Sequence, residues 1–279
     1  MINTNEILNK YRLKLTKSLG QNFLTDINIL KKIADAGDLT QEDLVLEIGP
    51  GIGALTVVMA QKAGSVIAVE LDKNLMPALK FTTGSYKNIT IINDDILKVN
   101  VNALIGSWKG PVKIISNLPY YVTTPVIMMF LENNLPIERM VIMVQKEVAQ
   151  RMSASPGTKE YGALSVGVQA AGDVKSLFNV SCNCFIPKPD VDSSVVRIMI
   201  HDKYQKMIND RQVFLNCVKA AFLKRRKTLI NAMSSYPELN LKREKVKEII
   251  AAMKLKETIR GEELSVEQFI QLANLVSDF

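Results

Sequence analysis

Leu44-Val45-Leu46-Glu47-Ile48-Gly49-Pro50-Gly51-Ile52-Gly53 is an apolar run that meets an acid and opens at once into a glycine-rich turn. A strand that ends this way and leads into a helix begins a βα unit. Its glycines let the backbone turn sharply and approach a ligand closely. The pattern recurs downstream. Val66-Ile67-Ala68-Val69 leads to Glu70, Ile89 to Ile92 leads to Asn93-Asp94-Asp95, Val112 to Ile115 leads to Ser116-Asn117, and Met140 to Val144 leads to Gln145. The polar ends at 47, 70, 95, 117 and 145 lie 23, 25, 22 and 28 residues apart. That spacing fits a strand, a helix and two short loops. Near-continuous apolar strands in such units predict an α/β fold, with a doubly wound, mostly parallel sheet covered on both faces. Such sheets bind ligands at the carboxyl ends of their strands, where these polar residues cluster.

Residues 174–180 and 194–200 read as two further strands completing the sheet. Residues 153–162 read as a loop able to move over a site. After about residue 203 the period becomes helical, as in Val213-x3-Cys217-Val218-x2-Ala221-Phe222. The expected division is a catalytic domain over 1–200 and a small all-helical domain over 203–279.

The net charge is +7. Residues 202–279 hold 15 Lys and Arg against 10 Asp and Glu, and residues 1–32 hold 6 against 2, so the middle is slightly negative. Basic ends around a near-neutral centre fit a polyanion held at the periphery of an enzyme. A generic basic surface fits as well. No apolar run approaches the roughly 20 residues of a membrane span, and Met1 to Glu6 carry no basic leader before an apolar core, so neither membrane nor secretion is expected. Three cysteines, Cys182, Cys184 and Cys217, suit a reducing cytoplasm better than a disulfide framework. Cys182-x-Cys184 has no second cysteine pair, and the single histidine is His201, so no metal site is expected. That lone histidine also argues against a Ser-His-Asp or Cys-His centre.

The glycine loop admits two ligand classes. A dinucleotide loop needs G-x-G-x-x-G, but the sixth position is Thr56 counted from Gly51 and Ala54 counted from Gly49. The E-x-G-x-G-x-G form resembles a methyltransferase loop. Glu70 ends its strand where a carboxylate can accept both ribose hydroxyls of an adenosine. Asp95 is placed to accept from an adenine amino group, with Asp94 as its alternative. Ser116-Asn117-Leu118-Pro119-Tyr120-Tyr121 resembles the N-x-P-Y motif of adenine N6 methyltransferases. The Asn117 carboxamide oxygen and the Leu118 carbonyl can accept the two N6 hydrogens and free the nitrogen lone pair for attack. Pro119 sets the turn, Tyr120 offers a ring for stacking, and the electron-rich groups favour the developing positive charge.

From end to end the chain resembles the small-subunit ribosomal RNA adenine dimethyltransferases. Lys17-Ser18-Leu19-Gly20-Gln21-Asn22-Phe23-Leu24 is similar to their N-terminal motif, and Phe185-x-Pro187-x-Pro189-x-Val191-Asp192-Ser193 to their late motif. The resemblance implies a Rossmann-like class I methyltransferase fold and S-adenosyl-L-methionine as cofactor. Its contacts would be Asn22, Leu24, Gly49, Gly51, Glu70, Asp95 and Asn117. Phe185 would stack on the target adenine opposite Tyr120, although a phenylalanine before two prolines also suits a core anchor. Lys146, Arg151, Lys224, Arg225, Arg226 and Lys227 would contact RNA phosphates, although each group also suits a solvated face. The implied substrate is a pair of adjacent adenines in the terminal hairpin loop of small-subunit (16S) RNA, free or in an immature subunit, and a monomer is expected. Three alternatives stand beside this: a large-subunit adenine methyltransferase of the macrolide-resistance type, a non-catalytic RNA-binding assembly factor and a dinucleotide oxidoreductase.

Overall fold

The computed structural model describes residues 3–13, 20–133 and 135–278. Lys17 to Leu19, the start of the N-terminal motif, lie outside the described residues. The strands among the described residues are β1 (Phe23–Leu24), β2 (Leu44–Ile48), β3 (Ser65–Glu70), β4 (Ile89–Asn93) and β5 (Val112–Asn117). They continue with β6 (Ile137–Gln145), β7 (Gly172–Val180), β8 (Phe185–Ile186) and β9 (Ser193–Ile200). Seven of them form one sheet in the order β4-β3-β2-β5-β6-β9-β7. β2 through β6 pair in parallel, and β9 pairs antiparallel to β6.

Burial follows position in the sheet. Every residue of β2 is buried, as are all of β5 but Asn117, whereas edge strand β4 is partly exposed throughout. A central strand covered on both faces needs a continuous apolar run, and an edge strand does not. This is why the central strands stood out in the sequence. The two late strands lie together at the far edge, with β9 between β6 and β7.

The order of winding places the crevice. From β2 the chain moves outward through β3 to β4, then returns to the opposite side of β2 with β5. The carboxyl ends of β2 and β5 therefore flank the switch point, where doubly wound sheets bind their ligands. The register brings three ends level: Ile48 pairs with Val69, and Glu70 pairs with Asn93. β1 and β8 form a separate antiparallel pair, with Leu24 opposite Phe185.

The chain forms two compact units, one of residues up to 149 with 175–200, the other of 150–174 with residues from 201 onward. The first holds the sheet and an apolar cluster that includes Leu24, Leu30, Ile33, Met59 and Ile115. The second is built on helices Ala163–Ala171, Arg211–Leu223, Leu229–Ser234, Arg243–Ala252 and Val266–Ser277. Their shared core includes Tyr161, Val166, Phe214, Cys217, Ile250 and Phe269. The Asp210 carboxylate caps Arg211–Leu223 by accepting from the Val213 amide at 2.9 Å. The second unit thus takes in 150–174 as well as the stretch after 203. Helical period marks a buried face but not which unit supplies its partner.

Residues 153–162, read as a loop able to swing over a site, are tied within the second unit. The Gly157 amide donates to the Glu262 carbonyl at 2.7 Å, and the fully buried Tyr161 donates its hydroxyl to the Leu264 carbonyl at 2.9 Å. A side chain anchored in the core at one end and a backbone bond at the tip hold the loop to 261–264.

Candidate active site

The glycine loop after β2 is shaped by backbone conformation. Gly49, Gly51 and Gly53 have φ of +66°, +61° and +85°, a region that costs other L-residues about 1–2 kcal/mol. At Gly51 space matters too, because a Cβ would lie 2.7 Å from the Phe23 ring. At Gly49 it would lie 3.1 Å from the Pro119 ring. The loop therefore lies hard against both the N-terminal motif and the N-x-P-Y turn.

Glu70 closes the loop against β3. Its two carboxylate oxygens accept from the amides of Gly51 at 3.0 Å and Asp72 at 2.8 Å. A carboxylate has about four acceptor positions, so capacity remains for a ligand hydroxyl beside the amides of Gly51, Asp72 and Leu71. Burial pushes its pKa up to about 7 against the pull of these amides. Glu47 lies deeper, 2% exposed, and accepts one bond from the Thr56 hydroxyl at 2.6 Å. Burial, only partly offset by Thr56 and reinforced by the nearby Glu70, raises it to about 8.

At the end of β5 the Asn117 amide donates to the Asn22 carbonyl at 3.1 Å. A carbonyl can only accept, so the atom facing it is nitrogen. The Asn117 oxygen remains as an acceptor. Leu118 is buried and its amide donates to the Met143 carbonyl at 3.2 Å. Nothing among the described residues donates to the Leu118 carbonyl. Pro119 accepts from the Thr123 hydroxyl at 3.0 Å, which holds the turn. Tyr120 is half-buried, with its hydroxyl 2.6 Å from that of Ser193. Burial raises the Tyr120 pKa.

One cleft of about 990 Å³, open solvent at its mouth included, is lined by Asn22, Leu24, Gly49, Gly51, Glu70, Asp94, Asp95 and the whole Asn117 to Tyr120 turn. Asp94 and Asp95 both line it. Asp94 accepts from the Asp95 amide at 2.7 Å and Asp95 from the Leu97 amide at 3.0 Å. Phe185 is not brought to it. Its ring is 3% exposed and packs in the apolar cluster with Leu24 and Leu30, because β8 pairs with β1. Lys146 is exposed at the start of helix Lys146–Met152, and Arg151 is half-buried in its last turn. Lys224, Arg225, Arg226 and Lys227 are exposed on the turn after Arg211–Leu223, with Arg225 paired to Glu262 at 3.0 Å.

Several lining residues were not singled out from sequence as ligand contacts: Phe23, Glu47 and Tyr121. For Glu47 the sign was present, since it is the acid that opens the glycine motif. Phe23 and Tyr121 gave none, because their neighbours across the cleft are distant in sequence.

The described residues lining the cleft include four acids, Glu47, Glu70, Asp94 and Asp95, and no Lys, Arg or His. Among these described residues no cationic side chain would face a dinucleotide pyrophosphate, and Asp94 and Asp95 disfavour it. A ligand with adenosine at one end and net positive charge at the other fits instead: apolar walls such as Leu71, Leu75 and Ile96 beside acids. S-adenosyl-L-methionine has that character, with a sulfonium and an ammonium against one carboxylate. Among the described residues no cluster of His, Cys, Asp or Glu could hold a metal ion, and no helix is long and apolar enough to cross a membrane.

Residues 12–278 match the family described as "Ribosomal RNA adenine dimethylase". The "Ribosomal RNA small subunit methyltransferase A" of Lachnoclostridium phytofermentans is 46% identical over 99% of this chain and 96% of its own. Among solved structures, a dimethyladenosine transferase from Plasmodium falciparum matches with a TM-score of 0.73 and 25% identity, over 90% of this chain and 95% of its own. The 23S rRNA methyltransferase ErmE matches with a TM-score of 0.65 and 23% identity, over 92% of this chain and all of its own.

Proposed function

The chain belongs to the ribosomal RNA adenine dimethylase family, and on that premise we propose how its cleft residues serve the reaction. It is an S-adenosylmethionine-dependent adenine N6-dimethyltransferase of small-subunit ribosomal RNA. The fold is shared with a large-subunit enzyme, so fold alone does not choose the substrate. The near-full-length likeness to a small-subunit enzyme does.

The cofactor supplies an electrophilic methyl group. Glu70 would hold a ribose hydroxyl with the acceptor capacity its amide partners leave. Gly49 and Gly51 let the backbone approach, Asn22 and Leu24 close the near wall, and Asp95 takes the adenine amino group. The Asn117 oxygen and the Leu118 carbonyl accept the two hydrogens of the target N6. That amine is a poor nucleophile while its lone pair is delocalised into the purine. Two acceptors draw it towards tetrahedral geometry and expose the lone pair. Tyr120 supplies the stacking face for the base. Phe185 serves as the opposite face only if its ring leaves the apolar cluster, and in the structure it is a core residue. Lys146, Arg151 and Lys224 to Lys227 contact phosphates through exposed charge.

We take the finer substrate to be two adjacent adenines of the 3′-terminal hairpin loop, presented in the immature subunit. Loop bases unstack at lower cost than paired ones. We take a cytoplasmic monomer as the working state.

The observation that carries the reading is the pair of acceptors, Asn117 oxygen and Leu118 carbonyl, beside the Tyr120 ring in a cleft lined by acids. The test is methyl transfer from labelled S-adenosylmethionine to unmethylated small subunits, with large-subunit RNA in parallel, mapped by nuclease digestion and mass spectrometry. Dimethyladenosine in the small-subunit hairpin is expected. Asn117→Ala should lower transfer at least about a hundredfold, the usual scale for losing one preorganised polar contact at the reacting centre, and leave RNA binding intact. Label in large-subunit RNA alone, or equal turnover by the variant, overturns the reading.

A further inference from the structure

The late motif reaches the N-x-P-Y turn through a hydroxyl pair. The Ser193 hydroxyl lies 2.6 Å from the Tyr120 hydroxyl. Ser193 is fully buried at the first position of β9, and in register it faces Gln145 of β6. The residue before it is fastened on both sides. The Asp192 carbonyl accepts from the Lys146 amide at 3.0 Å, and its carboxylate accepts from the Cys182 amide at 2.9 Å. Ser193 is therefore a fixed post, while Tyr120 is a half-buried ring on a turn between β5 and the helix Thr123–Glu132. Its hydroxyl is tied to the post, and Tyr120 lines the cleft.

We propose that Ser193 is a positioning residue that sets the plane of the Tyr120 ring, and that it governs the second methyl transfer more than the first. The inference rests on the reading of Tyr120 as the stacking face for the target adenine. Its logic is a count of donors. An unmethylated N6 carries two hydrogens, one for the Asn117 oxygen and one for the Leu118 carbonyl. After one transfer it carries a single hydrogen, so one of these two holds is lost. The base is then oriented to a larger extent by the ring it stacks on. A ring free to tilt still serves the first transfer, in which two hydrogen bonds orient the nitrogen. It serves the second poorly.

The test is a double-mutant cycle of Ser193→Ala and Tyr120→Phe. Each removes the same hydroxyl contact from a different side, and each retains the aromatic face. Single-turnover reactions on small subunits are resolved into mono- and dimethyladenosine by mass spectrometry, alongside cofactor and RNA affinities. Each single variant is expected to slow the second transfer about five- to tenfold, the scale of one net hydrogen bond. In Ser193→Ala the first transfer should change by less than about twofold, below the scale of a net hydrogen bond, and both affinities should be unchanged, while Tyr120→Phe is read by the ratio of its second transfer to its first. The double variant should be no slower than the slower single. Equal slowing of both transfers, an unaltered product ratio or multiplicative effects in the double variant overturn the proposal. If Ser193→Ala does not fold, Tyr120→Phe decides alone by its product ratio. Tyr120→Ala separates this inference from its premise. Loss of turnover in Tyr120→Ala with normal ratios in the other variants sinks only the positioning role, whereas full activity in Tyr120→Ala sinks the stacking role itself.

Discussion

Gly51→Ala tests the shape of the cofactor loop most directly. Gly51 has φ of +61°, which costs an alanine about 1–2 kcal/mol. The new methyl would also lie 2.7 and 2.9 Å from two Phe23 ring carbons, well inside the 3.4 Å at which ordinary contact begins. The ring has little room to retreat, because Phe23 is 8% exposed and packs with Ile7, Ile52, Leu75 and Ala78. Overpacking of this kind costs about 1–3 kcal/mol, so the total is about 2–5 kcal/mol. A control isolates the two parts. Gly157 has φ of +82° and nothing within 4 Å of a Cβ, so Gly157→Ala should cost only the backbone part, about 1–2 kcal/mol. Urea unfolding and calorimetric titration with S-adenosylmethionine should be measured on both variants. The loop can relieve the clash by unfolding more easily or by shifting away from its binding shape. The cost of Gly51→Ala is therefore the combined loss in the two experiments. Cofactor affinity should fall at least tenfold, about 1.4 kcal/mol, or stability should fall by a matching amount, while Gly157→Ala leaves cofactor affinity intact. If Gly51→Ala is as benign as Gly157→Ala in both assays, the claimed contact with Phe23 is wrong.

The buried acids make stability and cofactor binding respond to pH in opposite senses. Glu70 at about 7 and Glu47 at about 8 both lie above the ordinary 4.5, so the folded chain holds their protons more tightly than the unfolded one. That stabilisation is complete below pH 4.5 and is lost as pH rises through 7 and then 8. Glu47→Gln should flatten the decline, seen as a smaller fall in the urea midpoint from pH 6 to 9, and an equal fall would contradict the assignment. Cofactor affinity should instead rise from pH 5.5 to 8, because ribose hydroxyls and positive charge both prefer the carboxylates; a flat titration would count against Glu70 as the ribose acceptor. Arg225→Glu with Arg226→Glu should weaken RNA binding and lower the salt slope by about 1–2, at roughly 0.7–0.9 per phosphate contact. The loss of the half-exposed Arg225–Glu262 pair should cost little stability. Cofactor binding should not move, and unchanged RNA affinity across salt concentrations would remove this turn from the interface.

The sheet was legible because its central strands are buried on both faces and so read as unbroken apolar runs ending in polar residues. Glu70, Asn117 and the glycines were legible for the same reason, since each follows directly from such a run. What escaped was built by short or distant pairings. β1 and β8 are two residues each, too short to show a period, yet their pairing decides that Phe185 sits in the core. The hydrogen bond that the Asn117 side-chain amide donates to the Asn22 carbonyl joins positions 95 residues apart, and nothing local announces it. Within 150–174 the sequence marks only the loop over 153–162, and the segment's membership of the second unit depends on Tyr161 and Val166 finding a core made mostly after residue 210. Asp94 and Asp95 stay close rivals because adjacent residues past a strand end both reach the cleft.

Net charge was the most misleading bulk property for the site. The chain is basic overall, as a protein that meets a polyanion should be, yet among the described residues lining the cleft there are four acids and no Lys, Arg or His. The two facts serve different ligands. Exposed lysines and arginines attract phosphates over distances of about 10 Å at ordinary salt, and they carry no sequence information. Inside the cleft the effective dielectric is lower and charges interact more strongly. Carboxylates there favour a cationic cofactor and resist entry of the RNA backbone. A target base, uncharged and planar, is the part of the RNA that such a cleft can admit. Among the lining residues it meets groups that carry no charge at all: the Asn117 carboxamide, the Leu118 carbonyl and the Tyr120 ring. The separation of surface cations from cleft acids thus selects which part of a nucleotide reaches the reacting centre, before any hydrogen bond to the base is made.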